Sequence, residues 1–424
     1  MKFDLVFEGG GVRGVAFIGA LEAFAANGYT IGRVMGSSVG GLTAALLATG
    51  HDVPTIREVN FDPTGRLAIA SVLPPYPRFT SQMVDRSATR QLLRDVDVSR
   101  IPNLIEGGAD TMLARFLMGQ PGLHPLFSMF EHMGLCDDNA LLDWLASRFN
   151  AHSGGQDWAA LGLADLYQIT GRSLTVIASD ITDPTMLVLN HSTAPHLPLK
   201  WAVRMTIGVP YLVPPVSWQP EWGLYRQHRL DGHLIVDGGL LSQFPIELFL
   251  SDDEDVQAMM GPRKAEDRIL GLLLDESRPV PGYHPPASKG NGRLDAVPGL
   301  RLTRLLLDTL LTNARTTNAD TLKSHVIQLP VMGVNPFDFE VKQIDLQPVI
   351  NAAYNITHSF LAGWQHKDPR AMLTSFEKKY IQVIAEKFIV SGDYYRTGDI
   401  INSTGIAVGR ETTSTVDIQT SNEQ

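Results

Sequence analysis

The sequence has a single cysteine, Cys136, among 424 residues. One cysteine cannot form a disulfide within the chain, and it excludes the zinc sites that need several thiolate ligands, so the composition fits a reducing compartment. Basic residues are also outnumbered, with 35 lysines and arginines against 45 aspartates and glutamates and a net charge of −10. The chain therefore lacks the long basic surface that nucleic-acid binding requires, and we expect no nucleic-acid partner.

Long apolar runs are absent as well. No stretch reaches the roughly 18 to 20 apolar residues that span a bilayer, because charged residues such as Glu8, Arg13 and Asp308 interrupt the longest candidates. Met1–Phe7 is too short for the apolar core of a signal peptide and contains Asp4. We therefore expect a cytoplasmic protein without a transmembrane segment, which contacts membranes transiently and from the surface.

The first 50 residues contain the same β-turn-α pattern twice. Lys2–Phe7 favours a strand and is followed by a helical stretch from Val15 to Ala26, while Ile31–Met35, the glycine-rich Gly36–Gly41 and Leu42–Ala48 repeat the pattern. Consecutive units of this kind form parallel strands with right-handed crossovers. The sequence therefore predicts an α/β fold, a three-layer sandwich with a central, mainly parallel sheet.

The rest of the chain is predicted to complete this sheet and to add helices. Residues 54–166 have a mostly helical pattern and are expected to form a cap inserted into a main domain of residues 1–280. Residues 281–396 are expected to be a mainly helical C-terminal extension packed on that domain, and residues 397–424, rich in Ser, Thr, Gly and Asn, a weakly ordered tail. The further predicted strands are Leu174–Ala178, Thr185–Leu189, Leu234–Val236 and Ile269–Leu274, and the further helices are Leu199–Thr206, Leu302–Leu310, Pro348–Trp364 and Ala371–Phe388.

The first glycine-rich turn, Gly9–Gly14, fits the G-x-G-x-x-G pattern of dinucleotide-binding proteins. That class also needs an acidic residue at the end of the second strand, where it binds the ribose hydroxyls. Here the second strand ends in Met35-Gly36-Ser37-Ser38, which contains no acid. A nucleotide-binding protein is therefore a disfavoured alternative, which would require measurable dinucleotide affinity.

The second turn, Gly36-Ser37-Ser38-Val39-Gly40, is a G-x-S-x-G sequence between a predicted strand and a predicted helix. In that setting a sharp turn raises the serine hydroxyl above the sheet edge, where the N-terminus of the helix directs partial positive charge. Ser38 is therefore the candidate nucleophile, and we expect the glycines beside it to make room for a substrate. The alternative is a tight turn without chemistry. We do not expect the ordinary α/β-hydrolase topology, because that fold builds several strands before its nucleophile and 37 residues precede Ser38 here.

Asp237 is the strongest candidate for the general base of such a nucleophile. It ends an apolar strand and is followed by Gly238 and Gly239, which allow the tight turn that a crowded site needs. Asp231-Gly232 is instead typical of a hairpin turn. Rival acid–base groups are Asp180, Asp275, His191, His196, His233, His284, His325 and His358.

Taken together, these motifs resemble those of the patatin-like phospholipases. The resemblance covers residues 3–250 and the strand at 269–274. It rests on four stretches, Gly9–Gly14, Gly36–Gly40, Trp201–Val216 and Asp237–Gly239. The long helical insertion before the strand near Leu174 is a departure from the family pattern and leaves the choice of substrate open.

The resemblance implies a Ser–Asp dyad, in which Ser38 attacks an ester carbonyl and Asp237 accepts the proton and returns it to the departing alcohol. It implies no metal or organic cofactor. The implied substrates are fatty-acyl esters of phospholipids, cleaved as by a phospholipase A. Lysophospholipids, neutral lipids and small esters stay open as substrates, and so does a lipid- or partner-binding protein that is active only when an activator binds.

The same resemblance implies that the loop Gly9–Gly14 forms an oxyanion hole. The backbone amides of Gly10 and Gly11, with Val12 as a third candidate, are expected to hold the negative oxygen of the tetrahedral intermediate. Arg13 is expected to anchor this loop, to polarise the site or to form an ordinary salt bridge, and the sequence leaves these three alternatives open.

Methionine and phenylalanine are concentrated between Met112 and Met133. This segment predicts either the core of the helical cap or an acyl-chain channel with an apolar patch for membrane contact. Because the net charge of −10 opposes adsorption to anionic bilayers, we expect any contact with lipid to come from such a patch.

Overall fold

The structure is a computed structural model, which describes residues 1–73, 86–88, 91, 124–151, 154–262, 268–285, 322 and 324–364. These residues form a central sheet with helices packed on both faces, which confirms the predicted α/β class. The strands are β1 (Lys2–Phe7), β2 (Thr30–Ser37), β3 (Leu174–Asp180), β4 (Thr185–Asn190), β5 (Val216–Ser217), β6 (Leu234–Asp237), β7 (Ile269–Asp275) and β8 (Val326–Pro330).

The strand order is β5-β6-β3-β2-β1-β7-β8, and β4 also pairs with β3. The pairings β1–β2, β1–β7, β2–β3 and β7–β8 are parallel, whereas β4 and β6 pair with β3, and β5 with β6, in antiparallel fashion. Ser37, at the end of β2, pairs with Ile177, and the next residue of β3, Ala178, pairs with Asp237. The register therefore brings the end of β2 close to the end of β6.

Two apolar cores lie on opposite faces of the sheet, as the alternation of side chains in β1 illustrates. Phe3, Leu5 and Phe7 point into the larger core, whereas Val6 points into the smaller one, and all four are fully buried. A strand that is apolar on both faces is expected in the middle of a mainly parallel sheet. The sheet is therefore the middle of three layers.

Helices provide the two outer layers. Helices α1, α2 and α10 contribute to the larger core, and α8 and α9 to the smaller core. The helices are α1 (Ala16–Ala26), α2 (Val39–Ala48), α3 (Val53–Asn60), α4 (His124–His132), α5 (Asp138–Asn150), α6 (Leu163–Thr170), α7 (Leu199–Thr206), α8 (Glu247–Leu250), α9 (Glu254–Met260) and α10 (Gln343–Gly363). Across the described ranges, none of these helices combines the length and the apolar character that crossing a bilayer requires.

The two N-terminal β-turn-α units are confirmed, with one correction at the second turn. We predicted Gly36–Gly41 as an open glycine-rich turn, but β2 continues through Ser37 and α2 begins at Val39. The change of direction is confined to Ser38, because a single residue with positive φ is enough to pass from this strand to this helix. The later strands β3, β4, β6 and β7 also lie where the sequence predicted them, to within two residues.

The C-terminal region contains a strand that the sequence did not predict. Val326–Pro330 forms β8, which pairs in parallel with β7 and extends the central sheet. Its five residues are too short a run to distinguish a buried strand from other apolar segments. Helix α10 then packs closely on α1, where a Cβ on Gly19 would lie 1.9 Å from the carbonyl oxygen of Ile350.

Several predictions fall outside the described residues. They are the helices at Leu302–Leu310 and Ala371–Phe388, the tail at 397–424 and most of the Met112–Met133 segment. The described parts of the 54–166 insertion contain helices α3, α4, α5 and α6. The division of the chain at residue 280 stays a prediction.

Candidate active site

Ser38 forms the tight turn between β2 and α2, with φ 52° and ψ −128°. Such a backbone costs a residue with a side chain about 1–3 kcal/mol, and strain of this kind is concentrated at functional sites. Neighbouring glycines permit the turn: a Cβ on Gly36 would lie 2.3 Å from the Gly40 carbonyl carbon, and a Cβ on Gly40 would lie 2.4 Å from the Phe7 carbonyl oxygen. Our expectation that these glycines make room for substrate is wrong, because backbone occupies that space.

The other residues of the motifs pack around Ser38. Ser37 is fully buried, and a Cβ on Gly238 would lie 2.8 Å from its Oγ. Gly14 leaves room for Val39, since a Cβ on Gly14 would lie 2.6 Å from a Val39 methyl group. Of the two adjacent serines, Ser38 is therefore the one whose hydroxyl borders open space.

Asp237, at the end of β6, accepts a hydrogen bond from the Ser38 hydroxyl with an Oγ–Oδ2 distance of 2.7 Å. Its other carboxylate oxygen accepts the amide of Gly239 at 2.7 Å, and its own amide donates to the Gly208 carbonyl at 3.0 Å. Burial raises the pKa of the Asp237 carboxyl to about 7, although the hydrogen bonds from Ser38 and Gly239 act in the opposite direction. A carboxyl with such a pKa exchanges protons readily near neutral pH.

Thr206, the last residue of α7, holds the backbone of Ser38 in place. The Ser38 amide donates to Thr206 Oγ1 at 2.8 Å, and the threonine hydroxyl donates in turn to the Ile177 carbonyl on β3. The sequence analysis did not single out Thr206, although it lies in the Trp201–Val216 stretch. A hydroxyl residue at the end of a helix in that stretch is the signal that could have identified it.

Two amides of the Gly9–Gly14 loop are already hydrogen-bonded to backbone carbonyls. The Gly9 amide donates to the Gln243 carbonyl at 2.9 Å, and the Val12 amide donates to the Pro336 carbonyl at 3.0 Å. Contrary to our expectation, Val12 is therefore not free to serve as a third donor to an oxyanion.

The amides of Gly10 and Gly11 remain available. The Arg13 amide donates a hydrogen bond to the Gly10 carbonyl at 3.2 Å. Within the described part of the chain, no acceptor is hydrogen-bonded to the amide of Gly10 or of Gly11. Gly11 has φ 56°, and a Cβ there would lie 2.2 Å from the Pro336 carbonyl oxygen, so both conformation and space require glycine. The loop adjoins the nucleophile, since a Cβ on Gly9 would lie 3.2 Å from that of Ser38.

Arg13 forms a salt bridge that anchors this loop, so two of the three alternatives that the sequence left open hold together. Its guanidinium forms a bidentate salt bridge with Glu276, with nitrogen–oxygen distances of 2.7 and 3.0 Å. Its Nε donates to the Val334 carbonyl at 2.9 Å. The loop is thereby tied to residues that follow β7 and β8 along the chain.

Ser38 opens into an apolar cleft. Among the described lining residues, polar side-chain groups come only from Ser38, Asn60 and the indole N–H of Trp144. The cleft is lined by Gly11, Val12, Val15, Ser38, Val39, Leu42, Asn60, Leu67, Ile69, Leu73, Leu141, Trp144, Ile207, Val209, Leu212, Val213 and Phe339. The methionines and phenylalanines that the structure describes between 127 and 133 are not among them, so they do not line this cleft.

Sequence comparison identifies the family. The patatin-like phospholipase family profile matches residues 5–250, more than half of the chain. This chain belongs to the patatin-like phospholipase family. Its members are lipid acyl hydrolases, so the motifs at Ser38 and Asp237 lie within a hydrolase domain.

Individual relatives of this patatin-like chain are distant. It is 25% identical over 374 residues to the uncharacterized protein YqhO of Bacillus subtilis, covering 86% of this chain and all of YqhO. Among solved structures, VipD of Legionella pneumophila matches with 16% identity and a TM-score of 0.42, over 85% of this chain and 67% of VipD. The structure of ExoU with SpcU from the type III secretion system of Pseudomonas aeruginosa matches with 17% identity and a TM-score of 0.36, over 86% of this chain and 53% of the other.

Three of the rival acid–base residues, Asp180, His233 and Asp275, have partners other than Ser38. Asp180 pairs with His233 at 2.7 Å, and Asp275 pairs with Arg278 at 3.0 Å. Asp231 lies in a turn, as predicted. Of the residues that the structure describes, no three His, Cys, Asp or Glu side chains are grouped as metal ligands are.

Proposed function

We propose that this patatin-like protein is a phospholipase A, which hydrolyses a fatty-acyl ester of a phospholipid through an acyl-Ser38 intermediate. The observation that carries the proposal is the 2.7 Å hydrogen bond between Ser38 Oγ and Asp237 Oδ2 at the mouth of an apolar cleft. A nucleophile and a base within hydrogen-bond reach, with the base itself held in place, are the parts that acyl transfer requires.

In the proposed reaction, Ser38 Oγ attacks the ester carbonyl carbon while its proton passes to the Asp237 carboxylate. The tetrahedral intermediate then collapses, the carbon–oxygen bond to the alcohol breaks, and Asp237 returns the proton to the departing lysophospholipid. Water next attacks the acyl-Ser38 ester, gives a proton to Asp237 and releases the fatty acid. The Ser38 oxygen recovers its proton from Asp237, and the site returns to its starting state.

The free amides of Gly10 and Gly11 supply the proposed oxyanion hole. They belong to a loop that adjoins Ser38 and that is fixed before substrate arrives. Removing one donor from such a site costs about 3 kcal/mol of transition-state stabilisation, so fixed amides matter nearly as much as the dyad. The apolar cleft accommodates the acyl chain and excludes water from the reacting ester.

Incubation with mixed phospholipid vesicles, followed by mass spectrometry, tests the proposal. We expect release of fatty acids and lysophospholipids by the wild type and none by Ser38→Ala. A fluorophosphonate should label the wild type at Ser38 but should not label the variant. Release of fatty acid from neutral glycerides alone would contradict the substrate class. Failure of the isolated protein to label or to release any product would instead support the binding protein that needs an activator.

A further inference from the structure

We propose that Phe130, Met133 and Tyr211 form a docking rim that seats the mouth of the cleft on a lipid bilayer. The proposal deepens the proposed function, on which it rests, by specifying how an acyl chain reaches Ser38. The three side chains are among the most exposed large apolar groups of the described chain, at 75%, 49% and 48%. Large apolar side chains exposed together are typical of an interaction surface.

Backbone contacts join these residues into one feature beside the cleft. Phe130 lies in the last turn of α4, and Met133 directly follows His132, the last residue of that helix. The next residue, Gly134, forms a β-bridge with Tyr211, and the amides of Leu135 and Cys136 donate to the carbonyl of residue 212. Tyr211 lies between residues 209 and 212, both of which line the cleft, so the rim borders the entrance.

Two rim residues have left-handed backbone, with φ angles of 56° at Met133 and 66° at Tyr211. Met133 directly follows the last residue of α4, a position at which helices commonly end in this conformation. Substitutions that test the rim therefore have to tolerate this backbone.

A buried arginine fixes the two segments of the rim relative to each other. Arg204 is fully buried, and its guanidinium donates to the carboxylate of Asp138, at the start of α5, and to the carbonyl of Pro214. Asp138 follows the Met133–Cys136 segment, and Pro214 follows the segment that contains Tyr211. Arg204 therefore links the two chain segments that carry the rim.

The chemistry of the cleft favours a bilayer over a protein as the occupant of this rim. Three side chains supply far less than the roughly 800 Å² per partner that a stable protein interface buries. A long acyl chain, in contrast, has to pass from a bilayer into an apolar cleft, and a path through water exposes every methylene. Because the net charge of the protein is −10, anionic lipids do not attract it at long range. The proposed docking surface is therefore a zwitterionic bilayer.

Vesicle binding separates this proposal from the catalytic one. The full chain carrying Ser38→Ala is sedimented with phosphatidylcholine vesicles, with and without Phe130→Gln, Met133→Asn and Tyr211→Asn together. Asparagine tolerates left-handed backbone, and glutamine favours helix, so these substitutions remove apolar surface without opposing the local conformation. The matched control is Ile344→Gln, Ile169→Gln and Met332→Asn, whose wild-type side chains are exposed to 75%, 56% and 43%.

We expect the rim variant to lose at least tenfold in vesicle partitioning and, with Ser38 restored, a similar factor in vesicle hydrolysis. Its hydrolysis of a short-chain soluble ester and its Tm should stay near those of the wild type, and the control variant should bind vesicles normally. Unchanged partitioning, or an equal loss in the control, would overturn the proposal. So would a change from dimer to monomer with vesicle binding intact, because the rim would then be a self-association surface. Absence of any esterase activity in the wild type would refute the proposed function but leave the binding result interpretable.

Discussion

The two glycine-rich turns of this patatin-like chain are adjacent, but different kinds of contact hold them. The Gly36–Gly40 turn is fixed by backbone packed against backbone and by the hydroxyl of Thr206, all within the region that matches the family. The Gly9–Gly14 loop also contacts Gln243 and Val39 within that region, but its salt bridge and two further hydrogen bonds are to Glu276, Val334 and the Pro336 carbonyl, which lie beyond it.

Because of this difference, the nucleophile is held more tightly than the Gly9–Gly14 loop. Close backbone contacts leave the nucleophile little freedom, because an added methyl group at Gly36 or Gly40 has no space. A partly exposed ion pair such as Arg13–Glu276 is a weaker constraint, worth about 0–1 kcal/mol to folding. Changes at the Ser38 turn should therefore abolish the reaction, whereas changes in the anchor of the Gly9–Gly14 loop should reduce it by degrees.

The largest effect is expected at Asp237. Asp237→Asn removes the group that accepts the Ser38 proton, so kcat for a soluble ester should fall by about a thousandfold while KM changes little. Asp231→Asn is the matched control, since Asp231 lies in a turn and pairs at 3.5 Å with a largely exposed arginine. Steady-state kinetics of both variants check the expectation, and a reversal of the two phenotypes would move the base to Asp231.

Removal of the Thr206 hydroxyl should have the next largest effect. Thr206→Val keeps the shape of the side chain but leaves the Ser38 amide without its acceptor, so we expect fluorophosphonate labelling to slow by about 10- to 100-fold, because misplacing a reacting group by about 1 Å costs about 100-fold. The buried groups left unpaired should also lower the free energy of unfolding by about 1–3 kcal/mol.

Thr206→Ser is the control for that prediction because it restores a hydroxyl at the same place. It should label at close to the wild-type rate. If Thr206→Val labelled as fast as the wild type, the strained backbone of Ser38 would not depend on this hydrogen bond.

A smaller effect is expected at the anchor of the Gly9–Gly14 loop. Glu276→Gln removes the charge that holds Arg13, so the Gly10 and Gly11 amides lose alignment, and we expect kcat to fall by about tenfold with Tm nearly unchanged. Arg278→Gln, which disrupts a neighbouring ion pair in the same loop, should leave kcat unaltered. A loss as large as that of Asp237→Asn would remove the distinction between the two turns.

The sequence predicts the Ser38 turn better than it predicts the anchor of the Gly9–Gly14 loop. The Ser38 turn was predictable because five consecutive residues between a strand and a helix encode it. The anchor was not, since Arg13 and Glu276 are 263 residues apart and an arginine followed by a distant glutamate has no local signature. The sequence likewise could not predict β8, because its pairing with β7 is decided by tertiary contact over about 50 residues.

The smallest effect is expected on stability, through the pH dependence of the buried Asp237 carboxyl beside the Ser38 turn. Burial raises the pKa of the Asp237 carboxyl from 3.8 to about 7 on folding, so the folded protein binds the proton more tightly between those values. The contribution of this group to the free energy of unfolding is therefore present at low pH and is lost as the pH rises through about 7. Asp237→Asn lacks this loss, so its Tm relative to the wild type should be higher at pH 8 than at pH 5. Calorimetry of the wild type and of Asp237→Asn at the two pH values checks this expectation, and a Tm difference that did not grow with pH would contradict the buried-carboxylate interpretation.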